Sequence, residues 1–317
     1  MARTYATPGA FKAALEQRLR SRAAGDGLEL QRLRQLLVFD RFMARVVMEF
    51  EQAVVLKGGL VLELRLQRAR TTKDIDLRLR GDPDEALSRL QRAGRRSLGD
   101  YFAFTIVPDP RHSTIEAEGM SYEGLRFRAQ CRLADKEYGR PFGVDIAIAE
   151  PLVATPDVIV GEPWLEFAGV GPVTMQVYPL EAHIAEKVHA LTLPRSRPNS
   201  RVKDLPDIAL LATIRPIDAE SLRAAITATW EHRGTHPLPA MVPDAPQAWE
   251  PVYREMARAS DLRWATLSQL MDAVSRFLDP VLAGAGGGWE PDEWAWMGTP
   301  GESNSEQRKA TTRSAPQ

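Results

Sequence analysis

The sequence predicts an α+β fold in which a mixed sheet flanked by helices is followed by a mainly helical C-terminal lobe. Apolar residues recur at helical spacing in the first fifty residues, alternate with polar residues over the next hundred, and return to helical spacing after residue 179. With 317 residues and 44% apolar content, the chain can form one large or two smaller domains. We therefore expect helices and a core sheet in residues 1–178, a helical lobe in 179–283 and a flexible tail in 284–317.

Composition narrows the functional classes. The net charge is −1, so any nucleic-acid-binding surface has to be a local patch. Cys131 is the single cysteine, which excludes an intrachain disulfide and a cysteine-based zinc cluster and fits a reducing compartment. The sequence shows neither an export signal nor an apolar run of membrane-spanning length, so we expect a cytoplasmic protein without membrane contact. The five histidines lack ligand spacing, which leaves a metal hydrolase unsupported.

The segment from Val54 to Arg80 carries the strongest local pattern. Two helices, at about 8–24 and 28–51, precede it and supply apolar packing faces. The segment itself predicts a strand over 54–56, a tight turn at Gly58 and Gly59, a helix over 60–66 and a second strand over 74–80. On that second strand Asp74 and Asp76 alternate with aliphatic residues, so both carboxylates project from one face.

Two carboxylates on one strand face, roughly 7 Å apart by strand rise, can share a divalent cation. Backbone amides at the start of the helix after Gly58 and Gly59 can bind phosphate oxygens. The glycine pair alone is also compatible with a plain turn, and the aspartate pair alone with an ordinary acidic strand. In this order, the two halves together indicate a metal-dependent nucleotide site.

The next hundred residues predict the rest of the sheet. A helix is expected over 83–94, and strands over 101–107, 114–118, 125–133, 142–149 and 174–177. The strand at 125–133 alternates apolar residues with Arg126, Arg128 and Arg132, a basic face that suits an RNA backbone or simply solvent. Asp145 lies on the strand at 142–149, opposite its aliphatic face, so three carboxylates converge if this strand neighbours the one at 74–80.

The C-terminal half is predicted to be helical. Lys187 lies at the edge of the apolar stripe of a helix over 180–193, where it is either a surface lysine or a cation reaching a cleft. Asp204 and Asp207 share a face in the first turn of a helix over 203–213, and structural capping also explains them. Further helices are expected from the Asp218 cap to 231 and over 261–282, with a Pro-rich loop between 236 and 251. Three tryptophans in the predicted tail either dock on the body or bind a partner: Trp289, Trp294 and Trp296.

Four sequence blocks then resemble a known family. They are Lys57-Gly58-Gly59, Thr71 to Asp76, Ile184 to Ala190, and Lys203 to Asp207. Their order is similar to that in AbiEii-type nucleotidyltransferase toxins, and especially the MenT-like branch, which are the toxin halves of bacterial toxin–antitoxin pairs. The resemblance covers about residues 5–282 and leaves out the tail. It implies that the predicted sheet is of the nucleotidyltransferase type.

The resemblance implies a role for each matching position. Gly58 and Gly59 would hold the triphosphate, with Lys57, Thr72 and Lys73 as neighbouring nucleotide-binding candidates. Asp74 and Asp76 would bind Mg²⁺, and Asp145 would help activate the attacking hydroxyl. Lys187 would contact phosphates, and Asp207 would orient Lys187 or the nucleotide, with Asp204 as a less certain neighbour. Thr72 stands where relatives often have serine, a position that some antitoxins are thought to modify or block.

The implied activity is Mg²⁺-dependent transfer of nucleotides from a nucleoside triphosphate, with CTP or another pyrimidine favoured, to the 3′ end of tRNA. The modified tRNA could no longer be aminoacylated and translation would stop. A tRNA acceptor end and a cognate antitoxin are therefore the expected partners, and Arg126, Arg128 and Arg132, with Arg65, Arg68, Arg70, Arg195, Arg197 and Arg201, are candidates to line an RNA path. Two alternatives stay open: nucleotide transfer to a protein or small molecule, and a non-catalytic protein that binds nucleotide or RNA.

Overall fold

The protein divides into two compact units, Met1–Pro179 and Leu180–Gln317. The computed structural model describes residues 5–27, 29–66, 72–110, 114–115, 124–148, 152, 154–195 and 201–298. The expected α+β fold is confirmed: the first unit contains a mixed sheet with helices, and the second is mainly helical. No helix within these ranges is long and apolar enough to cross a membrane.

The first unit is built around a sheet that contains nine strands in the described ranges. Its elements are α1 (Pro8–Asp26), α2 (Leu30–Phe50), β1 (Val54–Lys57), α3 (Gly58–Leu66), β2 (Asp74–Leu79), α4 (Pro83–Arg95), β3 (Phe102–Pro108), β4 (Thr114–Ile115), β5 (Gly124–Leu133), β6 (Lys136–Glu137), β7 (Phe142–Ile148), β8 (Asp157–Val160) and β9 (Thr174–Val177). The main strand order is β3-β5-β7-β2-β1-β9-β8, and β4 and β6 pair with β5.

The predicted neighbour relation between the two acidic strands is confirmed. β2 and β7 pair in parallel, and both are interior strands of the sheet. One face of the sheet carries the aliphatic side chains, which pack with α1 and α2 in a continuous hydrophobic core. Because strand residues alternate between faces, the acidic residues of β2 and β7 all lie on the opposite face.

The passage from β1 to β2 is tighter than predicted. α3 starts at Gly58 rather than at residue 60, directly after the last residue of β1. Gly58 has φ +69°, a left-handed conformation that costs glycine little and other residues about 1–2 kcal/mol. This one residue therefore turns the chain from strand into helix.

Two strands of the first unit were not predicted. β6 pairs with β5 and is only two residues long, which is too short to show an alternating pattern. β8 is an edge strand whose Val158 and Val160 are exposed while Ile159 is half-buried, so apolar residues occupy both faces. The sequence of β8 consequently lacks the alternation that identifies a strand.

The second unit contains five helices and a small sheet in its described part. They are α5 (Leu180–Thr192), α6 (Asp204–Leu211), β10 (Ile217–Asp218), α7 (Ala219–Arg233), α8 (Trp249–Ala259), α9 (Leu267–Leu282), β11 (Gly288–Glu290) and β12 (Ala295–Met297). Asp218 caps α7 as predicted, accepting a hydrogen bond from the Ser221 amide at 2.8 Å. α8 was not predicted as a helix, and α9 begins six residues later than expected, at a Thr266 capping box.

The flexible tail was predicted to begin too early in the sequence, at residue 284. Residues 288–297 form the antiparallel strands β11 and β12, and β11 also pairs with β10. Trp289 is fully buried and its indole Nε1 donates to the Ala212 carbonyl at 2.8 Å. The tryptophans thus dock on their own unit, because buried indole area outweighs the polarity of the surrounding residues. Residues 299–317 of the predicted tail lie outside the described residues.

Candidate active site

A row of four charged residues crosses the polar face of the sheet. In the strand registers Lys57 of β1 lies opposite Asp76 of β2, Asp76 lies opposite Asp145 of β7, and Asp145 lies opposite Arg126 of β5. Directly paired residues share a sheet face, so the row reads positive, negative, negative, positive. The two central carboxylates are each flanked by a cation on the far side.

Gly58 is packed directly against the carboxylate of Asp76. A Cβ on Gly58 would lie 1.9 Å from Asp76 Oδ2 and 2.6 Å from its Cγ, far inside contact distance. The first turn of α3 therefore starts against one of the two predicted metal ligands. This contact joins the two halves of the motif, the glycine pair and the acidic strand, into one site, and Gly59 follows half-buried in the same helical turn.

Asp74 is held by the neighbouring strand. The Gly143 amide donates to Asp74 Oδ1 at 3.0 Å, and a Cβ on Gly143 would lie 2.6 Å from the same oxygen. A glycine is needed at this position of β7 so that the carboxylate of Asp74 can lie over the strand. Gly143 was not identified from the sequence, because it lies on the polar face of β7, two residues before Asp145, and leaves the aliphatic alternation of the strand intact.

Asp145 is engaged by Arg126 in a two-point ion pair. The Nε of Arg126 donates to Oδ1 at 2.7 Å and its terminal nitrogen donates to Oδ2 at 2.5 Å. This hydrogen-bonded pair raises the pKa of Arg126, and Asp74 and Asp109 add to the shift by charge. The three carboxylates do lie on adjacent strands as predicted, but the third one faces an arginine.

Thr72 is a buried part of the entry to β2. Its hydroxyl donates to the Asp74 carbonyl at 3.1 Å, and its amide donates to Glu63 Oε2 at 3.2 Å. Glu63 is itself buried on α3 and accepts from Arg32 at 3.0 Å. Glu63 was not identified from the sequence because it looks like an ordinary polar residue in a helix. The hydroxyl of Thr72 orients the backbone of Asp74, and the neighbouring Lys73 side chain is exposed.

Lys57 is buried beside the site, with 9% of its surface exposed. Its ammonium lies over the ring of Tyr178, 4.9 Å from the centroid. The Tyr178 amide in turn donates to the Leu56 carbonyl at 2.8 Å. A cation fixed in this way, in register with Asp76, lowers the cost of burying negative charge on the sheet.

Lys187 is the centre of a separate charged cluster in the second unit. Its ammonium donates to Asp204 Oδ1 at 2.9 Å and to Asp207 Oδ2 at 2.8 Å. The side chain of Asp207 is fully buried and that of Asp204 is 4% exposed, so the lysine neutralises two carboxylates removed from water. Both aspartates thus orient Lys187, a relation that the resemblance assigned mainly to Asp207.

The predicted basic residues differ in how far their side chains are engaged by other groups of the protein. Arg65 is not available for RNA, because its side chain is 8% exposed and pairs with Asp157 at 2.5 Å. Arg128 and Arg132 are exposed on β5, where Arg128 has a distant partner, Asp109, at 3.9 Å and Arg132 donates to the Asp135 carbonyl. Three candidates lie outside the described residues: Arg68, Arg70 and Arg197.

Two arginines of the second unit complete this set. Arg201 is exposed and lies 3.6 Å from Asp204, while Arg195 is half-buried and donates to the Ala190 carbonyl at 3.2 Å. Their side chains are thus partly committed to their own unit.

Asp74 and Asp76 together have the chemistry of a magnesium site. Carboxylate oxygens are the ligands that Mg²⁺ prefers, and Mg²⁺ is commonly bound through one or two carboxylates plus substrate phosphates. The missing Cβ atoms at Gly58 and Gly143 leave room for both carboxylates. Within the described ranges no group of three or more His, Cys, Asp or Glu side chains is arranged to hold a metal ion, so the fit rests on this pair.

The fold and the charged row define a nucleotidyltransferase-type domain, and sequence comparison gives the family. The chain belongs to the AbiEii family, described as "Nucleotidyl transferase AbiEii toxin, Type IV TA system", whose family model matches residues 41–279. The family resemblance inferred from the four sequence blocks is thus confirmed. The matched range contains every predicted nucleotide-binding, metal-binding and catalytic residue.

Two solved structures extend the comparison. MenT4, a nucleotidyltransferase toxin from Mycobacterium tuberculosis H37Rv, is 17% identical, covers 94% of this chain and 99% of its own, and has a TM-score of 0.57. JHP933 from Helicobacter pylori is 14% identical, covers 88% of this chain and 98% of its own, and has a TM-score of 0.40. At such identities the MenT4 match supports a shared fold, and no curated protein sequence matches the chain.

Proposed function

We propose that this protein is a Mg²⁺-dependent nucleotidyltransferase toxin that adds nucleotides from a nucleoside triphosphate to the 3′ end of tRNA. The observation that carries the proposal is the contact of Gly58, at the start of α3, with Asp76, one of two carboxylates on a single strand face. That contact supports the proposal, because helix starts bind phosphates and carboxylate pairs bind Mg²⁺.

Different residues of the first unit bind the triphosphate and the metal ion. The amides at the start of α3, around Gly58 and Gly59, hold phosphate oxygens of the triphosphate. Asp74 and Asp76 would hold Mg²⁺, which, when bound, neutralises charge on the phosphates and favours the ionised form of the attacking hydroxyl. Thr72 and Gly143 fix Asp74 through its carbonyl and its carboxylate, so the ligand position is set before substrate binds.

Asp145 is proposed as the group that orients or deprotonates the attacking 3′-hydroxyl. It lies in register with Asp76, and its carboxylate becomes available for a proton once Arg126 releases it. Lys187 keeps the role implied by the family resemblance, a cation for phosphates whose direction is fixed by Asp204 and Asp207.

Exposed positive charge on β5 supports tRNA as the acceptor. Arg128 and Arg132 are exposed on the same face of β5 as Arg126, and exposed arginines bind a phosphate backbone without sequence preference. Transfer to the acceptor end would block aminoacylation and stop translation, and a neighbouring antitoxin would control this activity in the cytoplasm. We propose CTP or another pyrimidine nucleotide as the preferred donor.

The experiment is incubation of the purified protein with total bacterial tRNA, Mg²⁺ and each labelled nucleoside triphosphate in turn. Asp76→Asn removes one metal ligand, and Asp135→Asn, which removes the same charge from an exposed turn, is the matched control. We expect label on tRNA with the parent protein and with Asp135→Asn, and loss of at least about a hundredfold with Asp76→Asn.

Other outcomes decide between the alternatives. Label on a protein instead of tRNA would move the acceptor to protein. No label on any acceptor would contradict transfer and leave a protein that only binds nucleotide or RNA. Label that persists in Asp76→Asn would show that the acidic strand is not the metal site.

A further inference from the structure

Arg126 is committed to a carboxylate that the proposed transfer reaction needs. Its guanidinium forms two hydrogen bonds to Asp145, at 2.7 and 2.5 Å, across the β5–β7 pair. Two-point arginine–carboxylate pairs are among the strongest hydrogen-bonded pairs in proteins, because both partners are charged and planar. A ligand that needs Asp145 therefore has to compete with Arg126.

The residues around Arg126 carry negative charge, which favours a cation as that ligand. The positive charge lies in the field of Asp74, on the other side of β7, as well as that of Asp145. Asp74, Asp76 and Asp145 are contributed by two adjacent strands, and an arginine inserted beside them supplies the positive charge that a divalent cation would otherwise supply. The half-exposed position of Arg126 leaves its side chain room to swing away, with 36% of its surface open to solvent.

Resting on the metal-dependent function proposed above, we propose that Arg126 is a built-in competitor of the divalent cation. It occupies Asp145 in the resting site and releases it when a cation held by Asp74 and Asp76 takes up Asp145 as a further ligand. Arg126 is thus a positioning residue that sets the cation concentration at which the acidic site becomes complete, rather than a residue of an RNA path.

The proposal predicts that removing the charge of Arg126 raises the affinity of the site for a divalent cation. Arg126→Gln removes the charge and the two-point pair but keeps a polar, shorter side chain. We expect its affinity for Mn²⁺, measured by isothermal titration calorimetry without nucleotide or RNA, to be about tenfold higher than that of the parent protein, because a charge-assisted pair no longer has to be broken. Arg126→Lys, which keeps the charge without the fork, should lie between the two.

Arg128→Gln is the matched control. Arg128 lies two residues from Arg126 on the same face of β5, and replacing it with glutamine removes the same charge. Its side chain is 55% exposed and its acidic partner is Asp109. We expect less than about a twofold change in Mn²⁺ affinity for this variant, since an exposed pair contributes little.

A double-mutant cycle with Asp145→Asn separates competition from a general charge effect. If Arg126 acts by occupying Asp145, Arg126→Gln should change the Mn²⁺ affinity of the Asp145→Asn protein by less than about twofold, since the pair is already broken. A gain of equal size in both backgrounds would overturn the proposal and leave simple electrostatics. Equal affinities for the parent and a folded Arg126→Gln would also overturn it, without touching the proposed transfer.

A different result would contradict the proposed metal-dependent function itself. If none of these folded proteins, including the parent, binds Mn²⁺ at millimolar concentration, both the metal-dependent function and the competition are wrong. Circular dichroism of every variant establishes that it is folded before its affinity is compared.

Discussion

Gly58 and Asp76 approach so closely that a methyl group on Gly58 would lie 1.9 Å from the Oδ2 of Asp76. Gly58→Ala should therefore displace the carboxylate and strain the backbone, since φ is +69°. We expect nucleotidyl transfer to fall at least about a hundredfold, the cost of displacing a reactive group by about an ångström. We also expect a loss of about 1–2 kcal/mol in the free energy of unfolding.

Gly9→Ala provides the control for this change. Gly9 lies in the first turn of α1 and has no neighbour within 4 Å of an added Cβ. Transfer activity should be unchanged, and stability should be equal or slightly higher, by about 0.5 kcal/mol. Full activity in Gly58→Ala would show that the start of α3 does not contribute to the site.

Gly143→Ala should separate metal binding from stability. An added Cβ would lie 2.6 Å from Asp74 Oδ1, so the carboxylate has to leave its position over β7. Because Asp74 is an exposed side chain that can move, we expect stability to change by less than about 1 kcal/mol while Mn²⁺ affinity falls about tenfold. Calorimetric titration measures the affinity, and Gly171→Ala, at an open position, should leave it unchanged.

Lys187→Met should be strongly destabilising at neutral pH. The change removes the ammonium between Asp204 and Asp207 and leaves two buried carboxylates without this cation. We expect a loss of about 3–5 kcal/mol in the free energy of unfolding at pH 7, measured by urea denaturation. Lys203→Met, which removes an exposed charge before α6, should cost less than about 0.5 kcal/mol.

His189 should make the second unit sensitive to acid. Burial lowers its pKa to about 4, with help from the charge of His236 and Arg233. Its ring packs against those of Trp230 and His236, with centroids 4.9 and 4.8 Å away. The unfolded chain takes up the proton near pH 6.5 and the folded chain near pH 4, so this group's contribution to stability is present above about 6.5 and is lost as pH falls toward 4.

His189→Gln removes this titration. The free energy of unfolding, measured in urea at pH 7 and pH 5, should fall more steeply for the parent than for the variant. Parallel losses in the two proteins would show that His189 contributes nothing to the acid sensitivity. His232→Gln, at another helical histidine, provides the comparison.

The sequence located most of the elements whose apolar residues alternate or repeat, and it missed β6, β8 and α8. β2, β5, β7 and β9 were located to within a residue or so because one of their faces is buried and the other polar. β8 was missed because Val158 and Val160 are exposed, and α8 because a Pro-rich segment precedes and enters it. Periodicity reports the contrast between two faces, which β8 lacks. α8 does have a buried stripe, at Trp249, Tyr253 and Ala257, but this helix begins inside the segment that its prolines marked as a loop.

The site was predicted in its residues but not in its pairings. Alternation placed Asp74, Asp76 and Asp145 opposite the aliphatic face of their own strands, and the pairing of β2 with β7 brings them to one sheet face. The pairing of Arg126 with Asp145 depends on the register of β5 against β7, which the local sequence does not contain. The same holds for Arg45, which looks like a surface residue of α2 but is fully buried against Asp100, fifty-five residues away.

The three docked tryptophans have a consequence for synthesis. Trp289, Trp294 and Trp296 each donate an indole hydrogen bond to a carbonyl earlier in the second unit, at 2.8, 3.1 and 2.8 Å. The first unit is complete at Pro179 and can fold while translation continues, because domains fold as units during synthesis. The second unit cannot close its core until residue 297 has left the ribosome. The first unit can therefore be folded before the core of the second unit is able to close.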